Sequence, residues 1–303
     1  MTEILFLDGG MGQELIARSK FPPSPLWSAK VLMDEPDIVE AVHRAYVDAG
    51  AKVITLNTYS ATPERLARDA GADQAETLFQ DLQTRAVEVA KRAVAGTDVA
   101  IAGCLPPLKG SYKPDEAPDF EACLTTYRRL VEIQKDHVAF FICETLSSIK
   151  EVKAAVQACA GHGVAVLCGM SAMDQDGTRL RSGEPTETAA IAARTAGAHA
   201  IGINCSWPEA ISQAMPAMAD ANLPFGGWAN AFTKADDLAI GGTVDVLRAR
   251  TDLGPDAYAD HAMHWVDRGA TIIGGCCEVG PAHIKKLANR LVTAGHTLTG
   301  RLQ

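Results

Sequence analysis

Positive charge is scarce in this chain: 28 lysines and arginines stand against 37 aspartates and glutamates, for a formal net charge of -9 and a pI near 5.4. That balance argues against the basic, clustered footprint of a nucleic-acid-binding surface. The opening Met1-Thr2-Glu3-Ile4-Leu5-Phe6-Leu7 has no basic leader, and its apolar run is too short for a signal peptide or a membrane helix. A cytoplasmic chain acting on small molecules is therefore expected, with no membrane or nucleic-acid partner; a homo-oligomer is left open. A disulfide framework is also missing, since eight cysteines in 303 residues, several inside apolar runs, read as reduced thiols. No GxGxxG turn occurs. The nearest stretch, Asp8-Gly9-Gly10-Met11-Gly12, has the wrong spacing, which discounts nucleotide binding. Lys52 precedes its strand and no lysine closely follows one, so a Schiff-base aldolase is disfavoured. His261 and His264 lie at helical spacing before the last strand, where they read as surface or packing residues.

What is present is a repeating grammar. Ala49-Gly50-Ala51 before Val53-Ile54, Ala196-Gly197-Ala198 before Ala200-Ile201, and Arg268-Gly269-Ala270 before Ile272-Ile273 are one unit of helix, capping glycine and buried strand. Parallel strands need such helical crossovers. Further strands read as Ile4–Leu7, Val99–Gly103, Val138–Ile142, Val164–Cys168 and Pro224–Trp228, making eight. Helical patterns between them run over Pro36–Ala49, Glu64–Ala95 in two pieces, Phe120–Lys135, Ile149–Ala160, Glu187–Ala196, Glu209–Asp220, Pro255–Asp267 and Pro281–Leu291. At 47% hydrophobic and 21% charged, with no composition break, residues 1–303 form one α/β domain, a (β/α)8 TIM barrel. A doubly wound open sheet is the rival architecture, but it would carry the missing phosphate turn. The proline-rich loop from Pro106 to Pro118 reads as a mobile lid.

Thr271-Ile272-Ile273-Gly274-Gly275-Cys276-Cys277-Glu278 runs a buried strand through two glycines, which permit a bend, into adjacent thiols. Alone, that pair reads equally as two inert core thiols. Ala200-Ile201-Gly202-Ile203-Asn204-Cys205 delivers a third cysteine to the C-terminal end of another strand. Three thiolates suit Zn²⁺, which then keeps one position for a substrate. The wide gap between Cys205 and the pair excludes a zinc finger and fits a barrel mouth.

Gly202-Ile203-Asn204-Cys205 together with Gly274-Gly275-Cys276-Cys277 resembles the zinc signature of the homocysteine S-methyltransferase family, and Leu7-Asp8-Gly9-Gly10-Met11-Gly12 matches its opening. The resemblance covers essentially the whole chain. It implies a zinc-dependent methyltransferase that converts homocysteine to methionine, with Cys205, Cys276 and Cys277 as ligands and Asp8 and Glu144 holding the substrate ammonium group. Asn57 and Asn230 match family asparagines after the second and seventh strands, although asparagine also serves loop backbone.

Other candidates come from the residues themselves. Backbone amides of Gly9 and Gly10 are candidates for the substrate carboxylate, while Asp8 and Glu144 could instead serve only as a turn cap and a surface ion pair. Trp27 and Tyr59 could present aromatic faces to a cationic methyl donor, or Trp27 could be core. Cys104 has no counterpart in the signature and reads as packing. No folate or cobalamin module fits in the chain, so a small diffusing donor is the simpler choice. Leu26-Trp27-Ser28-Ala29-Lys30-Val31-Leu32 resembles the branch that uses S-methylmethionine, and Ser60 stands where betaine enzymes carry an additional aromatic. Betaine, methyl-cobalamin from a partner, and a non-catalytic thiol-binding barrel are the competing readings.

Overall fold

The computed structural model describes residues 2–302. Its strands are β1 (Glu3–Phe6), β2 (Val53–Thr55), β3 (Ala100–Leu105), β4 (Phe140–Leu146), β5 (Ala165–Met170), β6 (Ala172–Met173), β7 (Asp176–Leu180), β8 (Ala200–Asn204), β9 (Phe225–Trp228), β10 (Ile272–Ile273) and β11 (Thr297–Thr299). Nine of these form one sheet in the order β11-β1-β10-β9-β8-β5-β4-β3-β2, every neighbouring pair parallel. The sheet curls until its ends meet. Lys52 N donates to Phe6 O at 2.9 Å, tying β2 to β1, and Gly300 approaches Lys52 so closely that a Cβ there would lie 2.4 Å from its carbonyl oxygen. The result is a nearly closed (β/α)8-type barrel with an extra strand in the seam. Nine strands replace the expected eight because β11 is a short, largely polar segment after the last helix and carries no buried apolar run.

Alternation along the strands sorts side chains into two cores. Leu5, Leu7, Val53, Phe140, Ile142, Leu167 and Trp228 pack together inside the barrel, while Ile4, Phe6, Phe141, Cys143, Val166 and Ile201 pack outward against helices. The helices follow the expected pattern: Pro36–Asp48, Pro63–Ala70, Ala72–Val94, Phe120–Gln134, Ile149–Ala158, Thr186–Ala196, Pro208–Asp220, Pro255–Asp267 and Pro281–Thr293. Proline opens five of them, where its missing N–H costs nothing. The capping glycines of the repeated unit, Gly50, Gly197 and Gly269, have φ of 104°, 106° and 96°, the left-handed conformation that ends a helix cheaply. Among the described residues, no helix is long and apolar enough to cross a membrane.

Three features were not legible in advance. β4 runs on to Leu146, so Glu144 lies within a strand and not after it, and β3 likewise contains Cys104. β6 and β7 form an antiparallel hairpin beyond β5. The connection after β9 is long and folds over the barrel mouth, fastened by the Phe232↔Ala249 bridge.

Candidate active site

The C-terminal ends of the strands surround a cavity that opens to solvent. Asp8, Gly9, Gly10, Trp27, Asn57, Tyr59, Glu144, Cys205, Cys276 and Cys277 line it, so nearly all the residues singled out in the sequence converge there. Asn230 is the exception: it does not line the cavity. It is fully buried, its Oδ1 accepts from Phe232 N at 3.0 Å, and its Nδ2 has no partner. Its evident task is shaping the loop after β9.

Cys205 follows β8 directly, with φ 47°, and its N–H donates to Trp228 O at 3.0 Å. Cys276 and Cys277 follow β10, where Cys276 N donates to Ala229 O and Gly275 N to Asp8 O. The three sulfurs lie within 4.8 Å of one another and could hold a metal ion. Cys205 Sγ is 2.6 Å from Cys276 Sγ and 3.7 Å from Cys277 Sγ. Burial opposes ionisation of Cys205, yet hydrogen bonds from Cys276, Cys277 and Tyr112 outweigh it and hold that thiol well below its ordinary range. Their bonds to Cys205 push Cys276 and Cys277 the other way.

The glycines here act by closeness. A Cβ on Gly9 would lie 2.1 Å from Val279 O, and one on Gly10 would lie 2.5 Å from Cys276 O. Gly274 and Gly275 likewise lie against Leu7 and Val279, and the left-handed residue of that turn is Glu278, φ 64°. The expectation that these two glycines provide the bend is therefore corrected: they let the cysteine turn pack on the first strand. A second correction concerns Gly10. Its N–H donates to Val279 O at 3.0 Å and is unavailable to a substrate carboxylate.

Asp8 and Glu144 give the cavity its charge. Asp8 follows β1 and accepts from Thr55 N at 3.0 Å. Glu144 faces inward on the same side of β4 as Phe140 and Ile142, and Cys104 Sγ lies 3.2 Å from its Oε2. Burial raises Asp8 to about 8 and Glu144 to about 7, and each carboxylate further resists ionisation through a nearby negative charge. No lysine, arginine or histidine is among the lining residues. Asp8 is buried and Glu144 half-buried, and the two acids share the cavity with no cationic side chain among its lining residues.

Aromatic rings form the outer wall. Trp27 and Tyr59 meet edge to face, centroids 5.9 Å apart, and Asn57 Nδ2 donates to Ser28 O beside them. Tyr112, Phe232, Leu238, Val244 and Leu247 complete the roof. These residues went unnoticed in the sequence, although the rule that strand-end loops build a barrel's site could have picked out Tyr112. The loop expected as a lid is packed here, with Leu108, Ser111 and Tyr112 buried and Tyr59 Oη 2.8 Å from Ser111 Oγ.

The family model described as homocysteine S-methyltransferase matches residues 5–291. The homocysteine S-methyltransferase of Escherichia coli (strain K12) is 31% identical over 308 residues, covering 95% of this chain and 95% of its own length. Homocysteine S-methyltransferase 4 of Zea mays is 27% identical, covering 93% of this chain and 87% of its own. Among solved structures, the metallated form of the homocysteine methyltransferase MmuM from Escherichia coli aligns with a TM-score of 0.77 at 29% identity, covering 95% of this chain and 96% of that one.

Proposed function

This chain belongs to the homocysteine S-methyltransferase family, and on that premise we propose that it transfers a methyl group from S-methylmethionine, or a related small sulfonium, to the thiol of homocysteine. The observation that carries the proposal is the meeting of three convergent sulfurs and two carboxyls, one buried and one half-buried, in one aromatic-walled cavity whose lining residues include no cation.

Cys205, Cys276 and Cys277 would hold Zn²⁺. In a tetrahedral site with metal–sulfur bonds of about 2.3 Å, neighbouring sulfurs stand about 3.8 Å apart. The Cys205–Cys277 separation of 3.7 Å fits, and Cys276 would move outward by about 1 Å. Bound zinc would supply a homocysteine sulfur held deprotonated at neutral pH, where a free thiol with pKa near about 8.5 is mostly protonated.

The chain's own residues do the rest. Asp8 and Glu144 would take the homocysteine ammonium group, fixing the amino-acid end while the thiol reaches the cysteines. On the donor side, Arg65 lies over Tyr59 at 5.2 Å and Arg181 over Tyr112 at 4.5 Å, each occupying one ring face. Among the described residues no guanidinium covers Trp27, which makes it the ring best placed for a donor cation. In the transfer, the sulfur–methyl bond of the sulfonium breaks as a new one forms to homocysteine sulfur. The departing pair neutralises the donor sulfur, and the thiol proton goes to solvent. With S-methylmethionine both products are methionine.

The deciding experiment is homocysteine with S-methylmethionine, S-adenosylmethionine, betaine, dimethylsulfoniopropionate and methyl-cobalamin in turn, scored by methionine formed. Turnover with a small sulfonium is expected. Turnover with betaine or methyl-cobalamin and none with the small sulfoniums would overturn the donor assignment while leaving the acceptor untouched.

A further inference from the structure

Tyr112 is held more firmly than a cavity-wall residue requires. Its hydroxyl lies 3.0 Å from Cys205 Sγ, both groups are buried, and its backbone has φ 63°, a region costly for a bulky side chain. Such a conformation persists only where the surroundings over-determine it. Arg181 supplies that determination. Its guanidinium, 2% exposed, stacks over the Tyr112 ring at 4.5 Å. The same group donates to Cys205 O at 3.2 Å, to Ser171 Oγ at 2.8 Å and to buried Asp174 at 3.1 Å, and it also pairs with Asp236 on the roof loop. One buried cation therefore grips both partners of the Tyr112–Cys205 contact.

We propose that Tyr112 is a positioning residue for the Cys205 thiolate, its hydroxyl donating to that sulfur while Arg181 fixes the phenol ring and the Cys205 carbonyl. The inference rests on the reading of Cys205 as a metal ligand. A hydrogen bond to a ligating sulfur draws charge from it and fixes its direction, so losing the bond should strengthen sulfur-to-metal donation while loosening the site.

The test uses Tyr112→Phe, which keeps the ring under Arg181 and removes only the hydroxyl. Zinc affinity, measured by competition with a chromogenic chelator, is expected to fall about tenfold. In the cobalt-substituted protein the sulfur-to-cobalt charge-transfer band is expected to move to longer wavelength, a change that a packing role would not produce. An unmoved band, with or without loss of affinity, overturns the proposal. If Tyr112→Phe does not fold, Arg181→Lys reads the same band, since lysine keeps the charge and loses the planar grip; again an unmoved band overturns it. A wild-type chain that takes up neither ion sinks the zinc reading and this inference with it. Uptake by the wild type with an unmoved variant sinks the inference alone.

Discussion

The thiol of Cys104 lies 3.2 Å from a carboxylate oxygen of Glu144, joining β3 to β4 inside the barrel mouth. The sequence made Cys104 a packing residue, yet its thiol is a side-chain hydrogen-bond partner of Glu144, one of the two carboxyls proposed to hold the substrate ammonium. Removing a net hydrogen bond costs about 1 kcal/mol, which is about fivefold in affinity. Cys104→Ala is therefore expected to weaken homocysteine binding by about that factor with zinc retained, and Cys104→Ser to restore most of it. Calorimetric titration of the two variants checks this; equal affinity in Cys104→Ala and wild type would make Cys104 packing after all.

Purified protein is expected to carry about one zinc per chain, and serine at Cys205, Cys276 or Cys277 is expected to remove most of it. Cys143→Ser, on the outward face of β4, is the control and should leave zinc in place. Elemental analysis decides each residue separately. Full retention in one of the three variants would remove that cysteine from the ligand set.

Burial holds Asp8 at about 8 and Glu144 at about 7, so in the ligand-free protein both resist ionisation at pH 6. Raised carboxyl values favour the folded chain fully below the unfolded carboxyl range of about 4, and that contribution is lost as pH rises towards 8. An ammonium ligand reverses the trend, because it binds the ionised pair. The thermal upshift given by methionine, which has the ammonium group but no free thiol, is expected to be larger at pH 8 than at pH 6 and to shrink in Glu144→Gln. An upshift independent of pH would detach these carboxyls from ammonium binding.

His43, on the Pro36–Asp48 helix, is fully buried with neither ring nitrogen bonded, and burial lowers its pKa to about 4. It must stay neutral in the fold. Its unfolded form titrates near about 6.5, so stability present above that value is lost as pH falls towards 4. His43→Leu removes both the unpaired polar atoms and the titration, and is expected to raise stability by about 1 kcal/mol or more, with the gain growing below pH 6. Denaturant melts at pH 5 and pH 7.5 measure it. A loss of stability at both would mean that the imidazole's shape outweighs its unmet polarity.

The barrel was legible in the chain because its signals are local. Capping glycines at 50, 197 and 269 and alternating apolar strands act over a few residues, and no distant contact is needed to read them. Cys205, Cys276 and Cys277 could be named because barrel geometry brings strand ends to one face whatever the loops do, and Asp8 and Glu144 because the family resemblance implies them. Contacts between loops distant in sequence obey no such local rule. That Gly10 spends its amide on Val279, that Asn230 lies behind the cavity, that Cys104 meets Glu144 and that Arg181 bridges Tyr112 and Cys205 depend on how closely separate loops approach. Only packing of the whole barrel sets those distances. Residue type, spacing and family resemblance therefore marked the groups proposed for the site, and tertiary structure decided which of them remained free, because their partners come from loops distant in sequence.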